Sequence, residues 1–221
     1  MRTVFRTIVA LGVLLASIGA PLEGQDDSWQ RKWYWGAQSG ITTFGSGISA
    51  FTTGGHWFIT GTQSALYIGL DKLIFGVGSD GGIGITIPNP DSPTGSTPVQ
   101  LRLGNRVEFL LYAMPTKKRL QLYAGGGFAI NQITDAVPRD AAILGAAELN
   151  TALDLIDELD TKVFVVFSGG LQLRLGRLVA YGEYRYLPSS RDFLLNAPQH
   201  SLLGGFRYAL THANEQIETG R

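Results

Sequence analysis

The sequence predicts an all-β protein: a transmembrane, antiparallel, up-and-down β-barrel, most simply of eight strands. Three observations predict it. Apolar residues recur at every second position in several separate runs, the period of a strand. Charged residues in five of those runs share one phase. The links between runs are short on one side and long on the other, as in barrels that cross an outer membrane.

Composition narrows the classes. The chain has 221 residues, with 18 Lys plus Arg against 18 Asp plus Glu. That balance argues against a nucleic-acid binder, which would carry a basic excess. There is no Cys, so disulfides, thiolate metal sites and a lipidated Cys are excluded. Gly is 29 of 221 and charged residues are 16%.

The first segment reads as a signal peptide. Arg2 and Arg6 precede an apolar and small-residue run from Ile8 to Ala20, and small residues follow up to Gly24. That layout suits a cleaved secretory signal and is too short for a spanning helix, which needs about 20 apolar residues. The expected division is therefore 1–24 signal, 25–31 periplasmic lead, 32–210 barrel and 211–221 tail.

The strands follow in order. In 33–44, Trp33, Trp35, Ala37 and Ile41 oppose Tyr34, Gln38 and Thr42. Residues 54–61 carry the faintest pattern. In 64–76, Leu66, Ile68, Leu70 and Ile74 oppose Tyr67, Gly69, Asp71 and Phe75. The run 99–113 sets Leu101, Leu103, Val107, Phe109 and Leu111 against Arg102, Arg106 and Glu108. In 119–133, Leu122, Ala124, Phe128 and Ile130 oppose Gln121, Tyr123 and Asn131. Residues 162–175 set Val163, Val165, Phe167, Leu171 and Leu173 against Gln172 and Arg174. In 178–188, Tyr184 and Tyr186 oppose Glu183 and Arg185. In 199–210, Leu202, Phe206, Tyr208 and Leu210 oppose Ser201 and Arg207. Gly82 to Ile87 also reads as a strand, placed in an extracellular hairpin. Ten strands is the alternative count.

A soluble sandwich would bury the apolar face and solvate the charges. The signal segment and the strand-end aromatics favour the inverse, because interfacial girdles belong there. The apolar face then meets lipid. Asp71, Arg102, Arg106, Glu108, Arg174, Glu183, Arg185 and Arg207 point inward as a structural ionic network. Five Arg against three carboxylates leaves a surplus of donors, expected to be served by water or loop carbonyls. Short links are expected at Met114–Lys118 and Gly176–Arg177, and long ones at 45–53, 77–98, 134–161 and 188–198. The last but one reads as helical from Pro138 to Asp160, with Leu149, Leu153, Ile156 and Leu159 on one face.

Three stretches carry a resemblance: Trp33-Tyr34-Trp35-Gly36, Leu122-Tyr123-Ala124-Gly125-Gly126-Gly127 and Gly204-Gly205-Phe206-Arg207-Tyr208. In these the chain resembles small outer-membrane β-barrels of the OmpA/OmpX-like superfamily. The resemblance implies residence in the outer membrane of a Gram-negative-type bacterium. It also implies that the barrel-assembly machinery reads the last strand at Phe206 and Tyr208. The tail 211–221 is too short for the peptidoglycan-binding domain that some relatives carry.

No catalytic, cofactor or metal residues are expected. His56, His200 and His212 lack metal-ligand spacing. His200-Ser201 are neighbours on a strand, so they face opposite ways and are poorly placed to act as base and nucleophile. The expected role is structural, or an interaction through surface loops whose partners are unspecified. A small-solute pore and a lipid-modifying enzyme are the alternatives. Eight strands leave room only for side chains.

Overall fold

The computed structural model describes residues 31–45, 47–76, 82–114, 119–139 and 141–212. The signal segment, nearly all of the lead, the tail beyond 212 and most of the turn Met114–Lys118 lie outside the described residues.

Nine strands and one helix are present among the described residues. They are β1 Lys32–Phe44, β2 Ile48–Thr60, β3 Ser64–Phe75, β4 Ile83–Pro88, β5 Ser96–Ala113, β6 Leu120–Pro138, α1 Ala146–Leu159, β7 Thr161–Leu175, β8 Leu178–Leu187 and β9 Gln199–His212. Hydrogen-bonded neighbours run β3-β2-β1-β9-β8-β7-β6-β5, and β3 pairs with β5. Every pairing is antiparallel. The fold is therefore a closed, eight-stranded, up-and-down barrel, and closure leaves it no open edge.

β4 is not a ninth stave. It pairs only with β5 and takes up where β3 leaves off: Ile74 lies opposite Leu103 and Ile83 opposite Leu101. The pair β3 and β4 is one long strand broken by an excursion. Both ends of that excursion are glycines with left-handed backbone, Gly76 (φ 66°) and Gly82 (φ 133°). A Cβ on Gly76 would stand 2.5 Å from the Gly82 carbonyl oxygen. The strand expected at Gly82–Ile87 is thus present, in the raised hairpin where it was placed.

Two loop readings are corrected. β2 begins at Ile48, so 45–53 is mostly strand and the β1–β2 link is a tight turn at 45–47. Its first half, Ser49 to Gly54, is small or hydroxylated except for Phe51 and shows little contrast in polarity. β6 runs on to Pro138, which ends the strand instead of opening the helix. α1 starts at Ala146. Its packed face holds Ala152, Leu155, Ile156 and Leu159, while Leu153 is exposed.

The barrel is layered along its axis. At the loop end Phe44, Phe75, Leu101, Phe164 and Phe193 form an apolar cluster. Phe44 lies 5.5 Å from Phe75 and Phe164 lies 5.2 Å from Phe193, centroid to centroid. α1 and the β8–β9 loop close over it: Leu194 N–H donates to the Leu159 carbonyl at 3.0 Å. Lys162 Nζ donates to Asp192 at 2.8 Å and holds that loop to β7. This bond keeps the Asp192 carboxyl below its ordinary range. Tyr34, Phe58, Tyr112 and Tyr123 gather toward the turn end. The polar layer lies between.

Candidate functional site

The candidate site is that polar layer. It is built by the period of the strands: each strand sends alternate side chains inward, and the inward set contains most of the chain's strand-borne charge. Asp71 on β3, Arg106 and Glu108 on β5, Glu183 and Arg185 on β8 and Arg207 on β9 have at most 1% exposure. The outward residues beside them on the same strands are mostly apolar and open, with Leu70 at 59% and Phe109 at 47%. Polarity is inverted relative to a soluble protein.

Glu183 is the hub. Its Oε1 accepts from Tyr112 (2.6 Å), Ser168 (2.7 Å) and Arg185 Nε (2.6 Å). Its Oε2 accepts from Tyr123 (2.8 Å) and stands 3.7 Å from Arg207 Nη2. Arg185 then bridges carboxylates across the bore. Its Nη1 donates to Glu108 and lies 3.6 Å from Asp71 Oδ2. Asp71 also accepts from Gln38 Nε2 at 2.8 and 3.0 Å. Gln38 Oε1 in turn accepts from Tyr181 (2.8 Å) and from Arg185 Nη2 (3.3 Å).

The other two guanidiniums lean on neutral partners. Arg106 donates to Asn131 (3.0 Å), Ser201 (3.1 Å) and Gln199 (3.0 Å), with Glu108 at 3.9 Å. Arg207 donates to His56 Nε2 (3.0 Å) and Gln172 (2.8 Å). It also lies over the Phe58 and Tyr181 rings, at 3.9 and 3.8 Å from their centroids. Arginine has no acceptor, so His56 Nε2 must accept and its proton sits on Nδ1.

Three carboxylates therefore face three guanidiniums in the central cluster, and formal charge balances. Burying ions is costly unless partners and extra hydrogen bonds replace their water. Here amides, hydroxyls and ring faces replace it. Side chains such as Gln38, Asn131, Gln172 and Gln199 accept from many of the Arg donors.

Inward glycines make the room. A Cβ on Gly54 would stand 2.1 Å from Asp71 Oδ1, and one on Gly36 would stand 2.7 Å from His56 Nε2. Small and large inward residues thus complement each other across neighbouring staves.

Of the eight expected network residues, six meet in this cluster. Arg174 is buried as expected, but at the turn end of β7, where its backbone pairs with Arg119. Arg102 is the correction. It is exposed and points out of the barrel. The β5–β6 register shifts there: Leu101 pairs with Ala136 and Leu103 with Asp135, so Arg102 is an extra residue. A bulge of this kind flips the faces, and Leu101, expected outside, is buried. The network also takes in Gln38, His56, Tyr112, Tyr181 and Gln199, which the expected set of eight does not include. Their inward phase was the available signal.

His200 and Ser201 do face opposite ways. His200 Nδ1 meets Tyr184 Oη at 2.6 Å on the outer face, while Ser201 bonds Thr42 (2.8 Å) and Arg106 inside.

No sequence family model and no curated protein matches the chain. Among solved structures, it is similar to the N-terminal β-barrel domain of Pseudomonas aeruginosa OprF. The TM-score is 0.48 at 10% identity, over 82% of this chain and 98% of that one. Neisserial surface protein A (NspA) gives a TM-score of 0.47 at 12% identity, over 85% of this chain and 100% of that one. At those scores the likeness adds nothing at the level of residues.

Proposed function

We propose that the chain is an integral outer-membrane barrel whose bore is closed by its own side chains, and that it acts as an envelope component presenting its loops rather than as a channel. One observation carries this reading. Fully buried ions line the inside of a closed barrel whose outside is covered with exposed Leu, Val, Phe and Trp. Water would penalise that outside, whereas hydrocarbon accepts it. The strands, 10 to 19 residues long in the eight staves, are long enough to cross when tilted. The inward charges bond to one another, which supports a bore filled by side chains in place of the aqueous channel that a large porin keeps. The raised β4–β5 hairpin, α1 and the β8–β9 loop form the surface through which a partner would be met.

The test is fractionation of cells expressing the full chain. The protein is expected to stay in the outer-membrane pellet after an alkaline wash. Release as a soluble protein would overturn the reading.

A further inference from the structure

The two ends of the barrel differ in charge and in the aromatics beside them. At the turn end the outer faces of β9, β1 and β2 carry Trp33, Trp35, Trp57 and Tyr208, each 41 to 51% exposed. Registry makes them one patch: Trp35 lies opposite both Trp57 and Tyr208, and the Trp33 and Trp57 rings are 6.4 Å apart. At the same height β6 and β7 show Leu120, Leu122 and Leu173. The aromatic patch is therefore one-sided.

Beside it stand Arg31 and Lys32, where β1 begins, and Arg177, whose carbonyl accepts from Ala209 N–H next to Tyr208. Arg31 and Arg177 are exposed. Among the described residues the rim at this end has no Asp or Glu. Among the described residues this rim carries Arg31, Lys32, Arg119 and Arg177. The loop end is the reverse, with Glu148, Asp154, Asp157 and Glu158 on α1 alone.

We infer that the turn-end face of β9–β1–β2, with Arg31, Lys32 and Arg177, is a docking surface for glycerophospholipids with anionic headgroups. The inference rests on the barrel spanning a membrane. Indole and phenol rings settle at the headgroup level. Cations at that level attract anionic lipid, and the attraction fades with salt. A zwitterionic headgroup would satisfy the rings but not the net charge.

The experiment uses the chain's own tryptophans. Trp29→Phe leaves three, all on this face. The full chain is folded into phosphatidylcholine vesicles containing a minor, fixed fraction of phosphatidylglycerol, with either lipid brominated as a quencher. Brominated phosphatidylglycerol is expected to be enriched around the tryptophans about fivefold over its bulk fraction, the preference that one surface cation confers. High salt should abolish the enrichment, and so should Arg31→Gln, Lys32→Gln and Arg177→Gln together. The loop-end pair Lys162→Gln and Arg191→Gln should leave it in place. Quenching in proportion to bulk fraction would overturn the inference, as would enrichment that survives the triple substitution. Failure to insert into either vesicle would overturn the membrane reading itself, an outcome seen separately in the absence of a folded, protease-protected barrel.

Discussion

Arg102 and Arg106 lie one turn of sequence pattern apart on the same strand and have opposite fates. Arg106 is wholly buried and bonded to Asn131, Ser201 and Gln199. Arg102 is exposed beside the Gly82 end of the β3–β4 excursion. Arg102 is itself the extra residue of a bulge in β5, and Arg106 lies past it in regular register. The contrast teaches what the two faces of this barrel demand. A charge on the inside must belong to a closed set of partners. A charge on the outside has no such set to join, and Arg102 sits there at the loop end.

The largest expected effect breaks the inner set at its hub. Glu183→Ala leaves Arg185, Arg207, Tyr112 and Tyr123 without their shared acceptor. A buried ion stripped of its partner costs about 3–5 kcal/mol. Urea unfolding of the barrel in bilayers should register that loss, and Glu183→Gln should recover part of it by keeping one acceptor oxygen.

Next comes a charge placed on the outer face. Phe128→Arg puts a cation amid exposed Phe109, Ile130 and Val165 near the middle of β6, where an arginine near the bilayer midplane costs about 2–4 kcal/mol. The check is the same unfolding series in bilayers. An unchanged midpoint would mean that this face does not meet hydrocarbon. An inward arginine makes a poor control here, because Gln172 already bonds Arg207.

A smaller loss follows from crowding the network without touching its charges. Gly54→Ala drives a methyl group onto the Asp71 carboxylate and the Leu70 carbonyl. Overpacking of this kind costs about 1–3 kcal/mol. Gly55→Ala, whose Cβ would meet nothing closer than the Gly36 carbonyl oxygen at 3.6 Å, should cost less in a paired measurement.

The smallest effect sharpens the opening contrast. Arg102→Gln should change stability by under about 1 kcal/mol, as exposed ionic groups do. Arg106→Gln should approach the loss seen for Glu183→Ala. Equal effects at 102 and 106 would contradict the bulge.

Much of this was legible in the sequence. Seven of the eight staves were placed nearly whole, because their outer faces are apolar and their inner faces polar. The first half of β2 was not, since Ser49, Thr52, Thr53 and Gly54 give the two faces equal polarity. Phase alone assigned eight charges to the interior, and six of them meet in the central cluster. Phase could not reveal the bulge at Arg102, because a bulge is an agreement between two strands and appears only in their register. Nor could it pair Arg185 with Glu108, or show Gln38 between Asp71 and Tyr181, because those contacts cross the bore between strands distant in sequence. The helix face was read one position off at Leu153, where packing onto the loop-end cluster selected Ala152 and Leu155 instead.

The central claim is that these side chains close the bore, and single-channel recording in planar bilayers tests it most directly. The full chain, first shown to be folded and inserted by its heat-modifiable mobility, is predicted to give no steady conductance. Glu183→Ala, if it still folds, should give only brief, irregular events as the network loosens. A stable, large, uniform conductance from the unmodified protein would contradict the account and make the barrel a pore.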